Sequence, residues 1–200
     1  MDTFLTLVIA LGGIATGIGA IWAALVARRQ AQVTERSLAE QTERARLALE
    51  YDLLSRLQDR FASPHLLSMR RATAKYLLDN AFIDGGAVGV PTLNSAAVEV
   101  CSFYEEVGEL LKFGLLRAES VWIRYYVVAQ AYWLLCKPGI EKMRHEWKDP
   151  SIFEEFEQLI RLTGKLDRER GVEAPTQGLV RQVMEAEAIR GEEAPTTTTK

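Results

Sequence analysis

Residues 94–115 read NSAAVEVCSFYEEVGELLKFGL, and in them Val100, Phe103, Tyr104, Val107, Leu110 and Leu111 recur at intervals of three and four. That spacing gathers the apolar side chains on one face of a helix. Asn94 or Ser95 is placed to cap its first turn, and Gly114 supplies its C-terminal stop. No alternating apolar and polar run occurs anywhere in the chain, so the flanking segments are read as helices and the fold class as all-α.

Upstream, Leu49, Leu53, Leu54, Leu57 and Phe61 share helical spacing. Ser63-Pro64 then closes one helix and opens the next, with Ser as cap and Pro in the first turn. That second helix runs to about Asn80 with Leu67, Ala74, Leu77 and Leu78 inward, and the Gly- and Pro-rich DGGAVGVPTLN is a loop. Downstream, a helix from about Ala118 to Cys136 carries one stripe of Val121, Tyr125, Val128, Ala129 and Tyr132 and a second of Trp122, Tyr126 and Trp133. Apolar over so much of its girth, it is expected at the centre of the bundle. Pro138 is expected to open a fifth helix through Ile140, Met143 and Trp147, and Asp149-Pro150-Ser151 to separate a sixth carrying Phe153, Phe156, Leu159 and Ile160. A bundle of about six helices over residues 47–164 is the expectation, followed by a charged peripheral segment at 165–190 with a short helix-compatible piece from about Leu179 to Arg190, and a disordered tail at 191–200.

The N-terminal region differs in kind. From Phe4 to Ala27 there are 24 residues without a charged side chain, about 36 Å of helix against a hydrocarbon core of about 30 Å. Residues 1–27 are therefore read as a transmembrane anchor held in the lipid bilayer through 4–27. A signal peptide would need a basic start and a small-residue cleavage site, and the only early side-chain charge is Asp2. Arg28, Arg29 and Arg36 follow the apolar run. The positive-inside rule then puts the N-terminus outside a cell (inner) membrane, and the C-terminal domain in the cytoplasm. Residues 28–46 lack Gly and Pro and are rich in helix formers, so the anchor helix should continue as a stalk. Gly13 and Gly17 form a GxxxG, a spacing that lets two membrane helices approach and would support a homodimer, although glycine is also common in such helices for other reasons.

Composition limits the chemistry. Lys and Arg number 24 against 27 Asp and Glu, a net charge of −3 that provides no basic field for nucleic acid. Cys101 and Cys136 have neither metal-site nor disulfide-scaffold spacing and read as reduced core thiols. Only His65 and His145 could act as histidine bases or ligands, and residues 62 and 142, three before each, are Ala and Lys rather than the Glu of a di-metal bundle. No nucleophile elbow, Walker A loop, HExxH or dinucleotide fingerprint occurs. No catalytic residue, metal or cofactor is therefore expected. Arg70 and Arg71 lie where the apolar face of the second helix passes close, and one of them is expected to turn inward to Glu105 or Glu106, as a buried ion pair or an anion site.

In Phe61-Ala-Ser63-Pro64 with Arg70 or Arg71 following, in Phe103–Leu115, in Trp122 and Trp133, and in Arg144 leading to Asp149-Pro-Ser151, the chain resembles an uncharacterised bacterial family, domain of unknown function 4760. The resemblance covers roughly residues 47–162 together with one transmembrane helix ahead of them. It implies a membrane-tethered helical module and brings no activity with it. The functional expectation is a non-enzymatic interaction or scaffold role with an unknown protein partner. The alternative is a small-ligand sensor or enzyme with a pocket near Arg70, Arg71, Glu105 and Glu106.

Overall fold

A computed structural model describes residues 2–81 and 92–190, the side chains of 2–21 and 23–26 excepted. Among the described residues the chain forms six helices and no strand: α1 (Asp2–Phe61), α2 (Pro64–Asn80), α3 (Ser95–Lys112), α4 (Ala118–Trp147), α5 (Glu154–Arg170) and α6 (Gln177–Ile189). Two compact units divide it, Met1–Ala48 and Leu49–Lys200. The first is helical, and every side chain from Ala27 to Ala48 is exposed. Among the described residues no helix is long and apolar enough to cross a membrane. The anchor and the Gly13–Gly17 pair depend on side chains that lie outside the described residues, as do the loop from 82 to 91 and the tail.

The second unit is a bundle whose helix starts follow two different rules. Three helices are capped from their own sequence: Ser63 accepts from the Leu66 amide at 3.2 Å, Asn94 from Ala97 at 2.8 Å and Thr176 from Leu179 at 3.3 Å. The other two begin at Arg117 and Phe153, which provide no side-chain cap. An acid from a distant helix serves them instead. Glu50 of α1 accepts from the Arg117 amide at 3.2 Å and the Ser120 hydroxyl at 2.6 Å, and Glu105 of α3 accepts from the Phe156 amide at 2.7 Å. Free amides at a helix N-terminus need an acceptor, and a carboxylate also complements the positive end of the dipole.

The core is an aromatic chain across four helices. Phe61 lies 5.3 Å from Phe103 and 5.2 Å from Tyr125 by ring centroid, and Tyr104 stacks on Phe156 at 4.9 Å. Cys101 and Cys136 are buried, free thiols between α3 and α4. Gly108 brings α3 against the start of α5, where a Cβ would stand 2.2 Å from the Glu155 carbonyl oxygen.

Three expectations need correction. Pro138 does not open a new helix but lies inside α4, whose 30 residues continue to Trp147. Proline removes an N–H and crowds the carbonyl four residues back; buried Leu135 and Cys136 on one side and Ile140 on the other hold the helix against the core through it. Leu49 and Trp147, expected inward, are exposed, Trp147 at 68%. The inward stripe of α1 is Glu50, Leu54, Leu57 and Phe61, so its first place is taken by an acid. The helix-compatible piece from about Leu179 to Arg190 does form α6, but it is not peripheral: it buries Val180, Met184, Glu187 and Ala188 and packs on α2.

Gly108→Ala should destabilise the bundle by about 1–3 kcal/mol, because the added methyl overlaps backbone that is part of a helix start and cannot rotate away. Thermal unfolding of the full chain, followed by circular dichroism, measures this.

Candidate functional site

Arg70 is 2% exposed, the largest fully buried side chain among the described residues. It stands on the inward stripe of α2 with Leu66, Thr73, Ala74 and Leu77, at helical intervals that turn its side chain to the core. Its partners come from three other parts of the bundle. One terminal nitrogen pairs with Glu187 of α6, and the other donates to the Phe61 carbonyl at the end of α1 at 3.0 Å. The guanidinium lies 3.6 Å from the centroid of the Phe61 ring, a cation–π contact in a dry setting. Tyr132 of α4 donates its hydroxyl to the Arg70 carbonyl at 3.0 Å.

The next residue, Arg71, holds the same C-terminal end of α6 at its cap. Its Nε donates to the Arg190 carbonyl at 3.1 Å, and a terminal nitrogen reaches the same oxygen. Arg190 in turn donates to Glu187 at 2.8 Å, so both carboxylate oxygens are engaged. The expected buried arginine is thus present, but its acid is Glu187 and not one of the pair on α3. Glu106 pairs with Arg60 of α1, and Glu105 caps α5. Arg70, Arg71, Glu105 and Glu106 consequently do not surround one cavity. A cleft of about 310 Å³ does adjoin Arg70, between Gln58, Leu67 and Arg190.

The surroundings of Arg70 are buried and rich in hydroxyls. Burial pushes the Tyr104 phenol far above its usual range, the nearby guanidinium opposing it, and pushes Tyr125 up to about 12. Both hydroxyls and the Arg70 Nε are buried without a partner among the described residues. At neutral pH these phenols are protonated, so the centre contains one compensated charge pair inside neutral aromatic groups. Cys101 is likewise held far above the usual thiol range, by its hydrogen bond to Cys136 and then by burial. A thiol so raised is a poor nucleophile.

Two further acids take inward positions. Asp167 of α5 is buried and accepts from Trp122 Nε1 at 2.6 Å and Gln130 Nε2 at 2.8 Å. Glu50 is buried beneath Arg117, whose Nε lies 2.8 Å from its carboxylate. Burial alone would raise Glu50; the Ser120 hydroxyl and the donors of Arg117 outweigh it and hold the carboxyl below its ordinary value of 4.5. Sequence reading missed Glu50, Asp167 and Glu187; Glu50 and Glu187 carry one signal, an acid at a place the helix otherwise reserves for apolar residues, whereas Asp167 follows Thr163 on a mixed stripe. Among the described residues no group of three His, Cys, Asp or Glu could hold a metal ion.

A family model described as a domain of unknown function (DUF4760) matches residues 10–163. No curated protein and no solved structure matches the chain. The matched stretch includes Arg70 and ends before α6, so the acid that neutralises Arg70 lies beyond it.

Two outcomes follow from these charges. Glu187→Gln, which leaves a buried guanidinium uncompensated, should cost about 3–5 kcal/mol, while Arg70→Met with Glu187→Leu should recover most of the loss; urea unfolding of both variants decides this. The depressed carboxyl of Glu50 adds stability that is present above its unfolded-state pKa, near 4.5, and is lost as pH falls through the lower folded-state value. Glu50→Gln should therefore flatten the acid limb of the stability curve, measured as melting temperature from pH 7 to pH 3.

Proposed function

The chain belongs to the DUF4760 family, and from its own residues we propose that it is a single-pass, membrane-anchored helical module that binds another protein at the cytoplasmic face. Binding rather than catalysis is its mode of action. The observation that carries this reading is the outward face of α4. The helix that fills the centre of the bundle shows Ile123 to solvent at 69% and Val127 at 38%, one turn apart. Beside them the Trp122 and Tyr126 rings stack at 5.2 Å, half-buried. Rigid aromatic and branched aliphatic side chains on a packed helix lose little entropy when covered, which is what a protein-binding surface needs. The uncharged run at 4–27 and the arginines after it support the tether and its orientation.

A sensor or enzyme centred on Arg70 is the weaker reading, because that guanidinium is committed to Glu187 and Phe61. What favours a small ligand lies elsewhere, between α4 and α5.

Affinity purification of a C-terminally tagged full chain from native membranes tests the proposal. A stoichiometric partner should be recovered by the wild type and lost by Ile123→Glu with Val127→Glu, at unchanged melting temperature because both positions are exposed. In parallel, Gly13→Ile with Gly17→Ile separates contacts made in the bilayer from those made by the bundle. A monomer with nothing bound would sink the interaction reading, and release of the chain by an alkaline carbonate wash would sink the tether.

A further inference from the structure

A cleft of about 410 Å³ lies between α4, α5 and the segment that follows α5. That volume falls within the roughly 300–1,000 Å³ of small-molecule sites. Trp133, Leu134 and Ile160 line its apolar side, and Val172 and Pro175 border it from the segment after α5. Three independent features show that it is more than a packing gap.

The first is an acceptor without a donor. Gln130 lines the cleft, is only 7% exposed, and gives its amide nitrogen to Asp167. A carboxylate only accepts, so the amide must face it with nitrogen and Oε1 is left over. That oxygen is buried and has no hydrogen-bond partner among the described residues, so a donor in the cleft reaches it only by displacing the side chains that cover it. One turn on, Leu134 borders the same cleft, and Pro138 a further turn along has no N–H to give to its carbonyl.

The second feature is charge. Arg161 and Arg168 border the cleft from α5, seven residues and about two turns apart. Neither guanidinium has a carboxylate partner among the described residues, although the surface around them pairs Lys165 with Glu169 and Arg144 with Glu157. The third is a glycine. Gly164 lies between the two arginines on the same side of α5, in a helix interior where glycine is among the least favourable residues. A Cβ there would meet nothing nearer than the Arg168 guanidinium at 4.0 Å. The site's floor is therefore open where any other residue would begin to fill it.

We infer that this cleft binds a small amphipathic carboxylate with an aromatic body and an N–H or O–H donor. The body lies against Trp133 and Ile160, the donor satisfies Gln130 Oε1, and the carboxylate meets Arg161 and Arg168, where guanidinium groups can hold it in paired hydrogen bonds. This site does not depend on the protein-binding face of α4, and either could fail alone.

Indole-3-propionate combines the three groups and serves as the probe, by equilibrium dialysis against the full chain in lipid nanodiscs with empty discs as reference. One saturable site per chain is expected. Affinity should fall at least about tenfold for 1-methylindole-3-propionate, which lacks the donor, for the neutral methyl ester, and for Arg161→Gln with Arg168→Gln. Gly164→Leu should abolish binding while melting no lower than wild type; if that variant does not fold, the exposed double arginine variant carries the test. Absence of saturable binding to the wild type overturns the inference, as does undiminished binding to Gly164→Leu. Equal affinity for the methyl ester overturns the anionic assignment.

Discussion

The Arg70 guanidinium is the constraint on which the bundle's arrangement rests. A buried cation is tolerated only where acceptors surround it, and here they come from separate helices: a carboxylate from α6, a carbonyl and a ring from the end of α1. Tyr132 fixes the backbone that carries it. Each of these partners sets a distance that the hydrophobic effect alone would leave loose, since apolar burial has no direction. The same side chain also explains why α6 packs where it does, with Glu187 seated among Val180, Met184 and Ala188 on the side that meets α2.

Glu50, Asp167 and Glu187 extend this logic. All three occupy inward places on their helices, and each joins its helix to another part of the bundle through directed bonds. Glu50 and Glu105 additionally begin helices that have no cap of their own. Fixed register is the result: α4 and α5 start where a distant carboxylate lets them start. The close approach at Gly108 belongs to the same construction, because the Glu105 carboxylate reaches the Phe156 amide only when α3 and α5 nearly touch.

Rigidity of this sort is a scaffold for sites at its surface. The Arg70 terminal nitrogens, Glu187 and the Tyr132 hydroxyl are spent on holding helices together, and the Tyr104 and Tyr125 phenols beside them are kept neutral by burial. At the surface lie the Ile123 and Val127 face of α4, and the cleft bordered by Arg161 and Arg168 above the buried Gln130 oxygen. Both use α4, whose inner face is anchored by the aromatic core, so a partner at Ile123 and Val127 would meet a preformed surface with little ordering to do.

Much of the fold was legible in the residues alone. Helical periodicity identified α2, α3 and α5, and the local caps Ser63 and Asn94 placed two helix starts, because a cap and its amides are neighbours in the chain. The presence of a buried arginine in Arg70-Arg71 was likewise readable from its place on an apolar face. Its partner was not, since Glu187 is 117 residues away and nothing in the local pattern distinguishes it from Glu105 or Glu106 as a counter-ion. Pro138 misled for a related reason: its local preference is to end a helix, and core packing on both sides overrode it. Periodicity and capping are determined by residues within a turn or two of one another, so the sequence by itself decided them. Charge partners, trans caps and the cleft arise between residues that only folding brings together, and the tertiary structure alone decided those.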